Sequence, residues 1–138
     1  MKKITSKFPG RNVLVVEDNL INQEIIKELL ELMDFHIDIA SHGKEALKST
    51  AAKKYDIIFM DIQMPEMDGY ETTRQIRHIE SPNKHTTIIA LTANAMSDDK
   101  IKCIEVGMND YLSKPLDVQK LEVILQKYLI NLSDDANK

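Results

Sequence analysis

The hydrophobic pattern of the chain alternates between short continuous runs and longer segments of helical period. NVLVV (12–16) is an apolar run of strand length, as a strand buried on both faces requires. LINQEIIKELLELM (20–33) follows with helical spacing; Ile21, Ile25, Leu29 and Leu32 fall on one stripe expected to face the core. HIDIA (36–40) alternates apolar and polar positions, which predicts an edge strand. GKEALKSTAAKK (43–54) predicts a short helix, and DIIFM (56–60) a second fully apolar strand. DGYETTRQIRHIE (68–80) predicts a helix opened by a capping box, Asp68 with Glu71 three residues on. After the polar loop SPNKHTT, TIIAL (87–91) is a third buried strand. SDDKIKCIEVG (97–107) has a serine cap, two acids in its first turn and a glycine stop. DYLSKP (110–115) is a short strand ended by proline. DVQKLEVILQKYLI (117–130) is the last helix, with Asp117 as cap and Leu116 and Leu121 at staple positions.

Strand and helix repeated five times predict an α/β fold, a (βα)5 doubly wound parallel sheet with right-handed crossovers. The edge-like second strand fits the flavodoxin-type order 2-1-3-4-5. One domain over 11–131 is expected, between an N-terminal tail or linker (1–10) and a C-terminal tail (132–138). In that order the topological switch point lies between the first and third strands, and ligands bind there, outside the carboxyl ends of the strands.

Composition narrows the class. A chain of 138 residues, 43% apolar and 29% charged, builds one soluble core. Its net charge of −4 offers no basic field for nucleic acid. No apolar run is long enough to span a bilayer, so no membrane contact is expected, and MKKITSKFPG lacks the apolar core of a signal peptide. A single cysteine, Cys103, forms no internal disulfide and fits a reducing cytoplasm. The four histidines lack zinc-ligand spacing; Met60, Met64 and Met67 read as packing residues, and Lys2, Lys3, Lys7 and Arg11 as a solvated edge.

The residues just beyond the first and third runs are Glu17, Asp18 and Asp61. Three carboxylates at one mouth repel one another unless a hard cation joins them, and oxygen ligands with room for water favour Mg²⁺. Helix capping accounts for Asp18 or Asn19 but not for Asp61, because the following helix has its own cap at Asp68. Thr92 and Lys114, at the ends of the fourth and fifth runs, add a hydroxyl and a cation. A nucleophilic oxygen, Mg²⁺ and donors for equatorial oxygens are what holding a phosphoryl group in transfer requires.

VLVVEDN, DIIFMDIQMPEMDGYE, IIALTANA and GMNDYLSKP, in this order, resemble the response-regulator receiver domains, the CheY-like family, over about residues 10–131. The resemblance implies that Asp61 is the phosphoacceptor. It implies Mg²⁺ on Asp18, Asp61 and the backbone carbonyl of Gln63, with Glu17 acting through water. It gives Lys114 and Thr92 the phosphoryl oxygens, makes Thr92 and Tyr111 the switch pair, and implies a cis Lys114–Pro115 bond. Gln63 and Asn94 flank the site and are expected to tune autodephosphorylation. The wording is most similar to receivers of hybrid sensor histidine kinases and phosphorelays, which implies a histidine kinase or a histidine phosphotransfer domain as donor. A switch at the face of the fourth helix, fifth strand and fifth helix follows, with a possible homodimer there. Competing readings are a degenerate receiver used only for docking, and a Mg²⁺-dependent aspartyl-phosphate phosphatase. The second wants an acid two positions after the nucleophile, where Gln63 stands.

Overall fold

The apolar runs pair side by side. The computed structural model describes residues 6–78, 80–93 and 97–130. Its strands are β1 (Asn12–Val16), β2 (His36–Ala40), β3 (Ile57–Asp61), β4 (Thr87–Thr92) and β5 (Asp110–Ser113). They form one sheet in the order β2-β1-β3-β4-β5, all pairs parallel, so the predicted order holds and HIDIA lies at an edge. The helices are α1 (Leu20–Leu32), α2 (Gly43–Ala52), α3 (Gly69–His78), α4 (Ser97–Val106) and α5 (Val118–Leu125), and α5 continues into a π-helical turn, Gln126–Ile130. No helix among the described residues is long and apolar enough to cross a membrane.

Alternation of side chains divides each apolar run between two cores. Val13, Val15, Ile57, Phe59, Ile89 and Leu91 pack with Ile26, Leu30 and Met33 of the α1 segment and with Leu121 and Leu125 of α5. Leu14, Val16, Ile58, Met60, Ile88 and Ala90 pack on the other face with Ala46 of α2, Ile76 of α3 and Cys103 of α4. Both β3 and β4 outrun their apolar runs by one residue, so Asp61 and Thr92 are the last residues of two buried strands.

The α1 stripe differs from the expected one. Ile21 and Leu32 are 71% and 56% exposed, Ile25 is also exposed, and Leu29 is half-buried. Gln23, Ile26, Leu30 and Met33 are buried instead. The helix carries apolar residues around more than its core-facing arc, so two stripes compete and tertiary packing chooses between them.

Caps follow the local chemistry. Asn19 caps α1, its side chain accepting from the Asn22 N–H at 3.0 Å, which leaves both preceding acids for other work. Asp68 accepts from the Glu71 N–H at 2.9 Å, but Glu71 gives its carboxylate to Arg74 and Gln75, so only half of the box is closed. Gly107, at φ +106°, ends α4 with Gly107 N–H to Ile104 C=O and Met108 N–H to Cys103 C=O, a Schellman closure.

Ser6, Lys7 and Phe8, within the segment expected as a tail, make contacts with the domain. Phe8 is buried and stacks on Phe35 with ring centroids 5.0 Å apart. The Ser6 N–H donates to Glu122 Oε1 at 3.3 Å, and Lys7 Nζ donates to the Leu32 carbonyl at 2.6 Å. Arg11, read as part of a solvated edge, pairs with Asp56 at 3.4 Å.

Candidate functional site

Three strand ends converge at the switch point. The backbone of Glu17 extends the sheet by one bond, its N–H donating to Ala40 C=O at 3.0 Å, which turns its side chain inward; the residue is fully buried. Gln23, on the buried face of α1, donates to the Glu17 carbonyl at 2.6 Å, and the Asn19 N–H donates to Glu17 Oε2 at 3.1 Å. Asp18, next in the chain, is exposed at the rim. Asp61 is 2% exposed, and its Oδ1 accepts from the Gln63 N–H at 3.0 Å. Glycine is required at 69, because a Cβ there would run into the Asp61 carbonyl oxygen and lie 2.8 Å from Ile62 Cα. That close approach seats the N-terminus of α3 behind the acid.

Lys114 is delivered from β5 by a bond from its N–H to the Thr92 carbonyl at 2.7 Å, and the Lys114–Pro115 bond is cis. Its Nζ lies 2.8 Å from Glu17 Oε1 and 3.1 Å from Asp61 Oδ2, bridging the two acids. Burial pushes the Asp61 carboxyl up to about 7, aided by the Glu17 carboxylate, while the Gln63 N–H and Lys114 pull it back only in part. Burial also works to raise Glu17, but Lys114, Asp61 and the Asn19 N–H together hold it below its ordinary value. Lys114 loses by burial and gains more from the two acids, so it stays firmly protonated.

The arrangement suits an oxygen-seeking cation. Glu17, Asp18 and Asp61 each present an oxygen within 4.8 Å of the others'. Glu17 Oε1 is buried and, among the described residues, accepts no well-aligned hydrogen bond beyond its charge contact with Lys114. A divalent ion would answer both the crowded charge and the under-coordinated oxygen.

The other expected residues stand nearby. Thr92 is buried at the end of β4, where Leu91 is the register partner of Asp61 and Thr92 that of Ser113. Tyr111 on β5 is half-buried, with Lys100 Nζ 4.9 Å from its ring centroid. Gln63 is exposed at the mouth, and Asn94 lies outside the described residues. Sequence reasoning missed Gln23, whose only signal is an amide on an otherwise apolar helical face. It also missed Asp99 and Tyr70, which meet near Thr92 from α4 and α3.

Residues 13–126 match the family model described as the response regulator receiver domain. Hybrid signal transduction histidine kinase B of Dictyostelium discoideum is 41% identical over 129 residues, a match that takes in 86% of this chain and 7% of that protein. Probable histidine kinase 1 of Oryza sativa subsp. indica is 35% identical over 147 residues, covering 85% of this chain and 15% of that protein. The chain therefore spans a small fraction of these relatives. Among solved structures, the receiver domain of a sensor histidine kinase from Pseudomonas aeruginosa, with a magnesium ion coordinated in its active-site cleft, aligns at TM-score 0.79 and 41% identity. That alignment covers 86% of this chain and 97% of the other. The receiver domain of the Saccharomyces cerevisiae response regulator Ssk1, crystallised with the histidine phosphotransfer protein Ypd1, aligns at TM-score 0.79 and 34% identity over 88% of this chain and 90% of that one. The fold, the acids at its switch point and a family match across most of the length agree, and this chain belongs to the response regulator receiver domains.

Proposed function

We propose that the chain accepts a phosphoryl group from phosphohistidine onto Asp61. The observation that carries this reading is one carboxylate, buried at a strand end, with Gln63 N–H on one oxygen and Lys114 on the other. In the transfer the histidine N–P bond breaks as an Asp61 O–P bond forms, and the imidazole leaves with the electron pair and is then protonated from solvent. Lys114 sits where it offsets charge on the phosphoryl oxygens, and Thr92 supplies a hydroxyl donor once it turns to the site. Asp18, Asp61 and the carbonyl of Gln63 would hold Mg²⁺, with Glu17 acting through water; when bound, the ion supplies positive charge for the carboxylates and the transferred group. The acyl phosphate is lost to water attack that the domain itself assists, at a rate tuned by the side chains of Gln63 and Asn94. Movement of Thr92 and Tyr111 passes the state to the α4–β5–α5 face, where pairing with a second copy is also proposed.

The donor is a histidine kinase or a helical histidine phosphotransfer domain, docked on the exposed side of α1. Leu20, Ile21 and Ile25 leave apolar surface there. A small groove lined by Glu17, Asn22, Ile25, Lys114, Pro115 and Leu116 joins that surface to the mouth. The single buried thiol fits a cytoplasmic location. The test is incubation with a charged histidine phosphotransfer protein and Mg²⁺. Hydroxylamine-labile phosphate is expected on the wild type and none on Asp61→Asn; label retained by the variant would remove Asp61 as the acceptor.

A further inference from the structure

One carboxylate beside the mouth has no part in the transfer as described. Asp99, in the first turn of α4, is met from two sides by long contacts: Thr92 Oγ1 donates to its Oδ2 at 3.4 Å and Tyr70 Oη donates to its Oδ1 at 3.4 Å. Three elements are tied at this point, since Thr92 ends β4 and Tyr70 belongs to the first turn of α3. Tyr70 is itself buried in the core on that side of the sheet, and Lys102 Nζ covers its ring at 4.6 Å from the centroid. Burial raises its phenol, and the neighbouring Cys103 and Asp99 raise it further, so it remains a donor at any ordinary pH.

A hydroxyl has one proton to donate. Thr92 cannot give it to Asp99 and to a phosphoryl oxygen on Asp61 at once, so the two acceptors compete for one donor. The hold is releasable. Asp99 is only half-buried and lines a cleft of about 410 Å³ with Gln63, Met64, Pro65 and Asp68, so on losing Thr92 its carboxylate is met by water. Both contacts are long and therefore weak, so a phosphoryl oxygen can outcompete the carboxylate for the hydroxyl.

We propose that Asp99, anchored by Tyr70, is a positioning residue that holds Thr92 away from Asp61 until a phosphoryl group competes for the hydroxyl. The proposal rests on Asp61 being the acceptor. It adds that the threshold for switching is set by a carboxylate on α4 and a phenol on α3, outside the group that touches phosphate.

The test is the affinity of the full chain for beryllofluoride, a phosphoryl mimic, with Mg²⁺, followed by two-dimensional NMR. Asp99→Ala, which removes the acceptor, should bind about threefold to tenfold more tightly than the wild type, and Asp99→Asn, whose amide oxygen still accepts from Thr92, should gain less. Tyr70→Phe should shift affinity the same way and less. In a Thr92→Ala background the Asp99 substitutions should have no effect, a dependence that a merely structural role of Asp99 would not show. Unchanged or weaker binding in Asp99→Ala, or the same gain without the Thr92 hydroxyl, overturns the hold while leaving the acceptor in place. Failure of the wild type to bind beryllofluoride at all takes down both readings.

Discussion

Replacing Asp61 by asparagine is expected to make the metal-free domain more stable, while abolishing the acceptance of phosphate proposed above. Asp61 is buried, lies beside the Glu17 carboxylate across Lys114, and has its carboxyl pushed up to about 7 from an ordinary 3.8. An acid held above its unfolded value binds its proton more tightly when folded. Its favourable contribution is full below about pH 4 and is lost as the pH rises towards 7. A rise of about three units corresponds to at most roughly 4 kcal/mol lost by pH 8, at 1.36 kcal/mol per unit, and the Glu17 carboxyl, held below its ordinary value by the same contacts, offsets part of it. Asparagine escapes that loss but gives up the charge contact with Lys114, so the net gain should be about 1–3 kcal/mol. For a domain of this size that is on the order of 3–10 °C in Tm.

The assay is thermal unfolding by circular dichroism in EDTA, at pH 5 and pH 8. The variant should melt above the wild type at pH 8, with a smaller gap at pH 5, where the wild-type carboxyl is largely protonated. Saturating Mg²⁺ at pH 8 should raise the wild type and narrow the gap, since a ligand of the native state stabilises it in proportion to occupancy. A variant no more stable than the wild type at pH 8, or a gap equal at the two pH values, would refute burial and like charge as the cause of the raised carboxyl.

Lys114→Ala strands two buried acids that the ammonium bridges at 2.8 and 3.1 Å. Phosphorylation by acetyl phosphate should slow by about 10²-fold, and metal-free stability should fall by about 3 kcal/mol in urea titration. Gly69→Ala drives a methyl group into the backbone at Asp61 and Ile62. It should cost about 1–3 kcal/mol in the same titration, by overpacking. Ile21→Glu acts on a side chain 71% exposed, so stability should stay within about 0.5 kcal/mol. Labelling by acetyl phosphate should be unchanged while transfer from a histidine phosphotransfer protein slows; equal loss with both donors would place the effect inside the domain.

What was legible in the sequence is what a strand end dictates. A continuous apolar run in a parallel sheet is buried on both faces, and a polar residue at its carboxyl end must emerge at the mouth. Asp61, Thr92 and Lys114 could therefore be placed together from three separate runs, and β3 and β4 carry Asp61 and Thr92 as their last residues. What was not legible depends on rotation and on distant pairing. Gln23 reads as an exposed helical amide until α1 is turned by one position, when it becomes the donor that pins the Glu17 carbonyl. Asp99 meets Tyr70 across 29 residues of chain, and no local pattern marks the pair. Glu71 had the capping-box spacing, but Arg74 and Gln75 on its own helix compete for its carboxylate and take it.

The misplaced stripe on α1 also bears on function. Had Ile21, Ile25 and Leu32 faced the sheet, Ile26, Leu30 and Met33 would have been turned away from it. Packing instead takes Ile26, Leu30 and Met33, and among the surplus apolar residues Leu20, Ile21 and Ile25 are left in water on the half of the helix nearer the strand ends. Burying that surface against the domain is impossible once the other stripe is seated, so it gains only by meeting another molecule. A partner covering Leu20, Ile21 and Ile25 would reach Lys114 and Pro115 along the groove that Ile25 lines with them. On the docking proposed above, the same rotation that buries Gln23 under Glu17 would turn an apolar surface towards the phosphoryl donor.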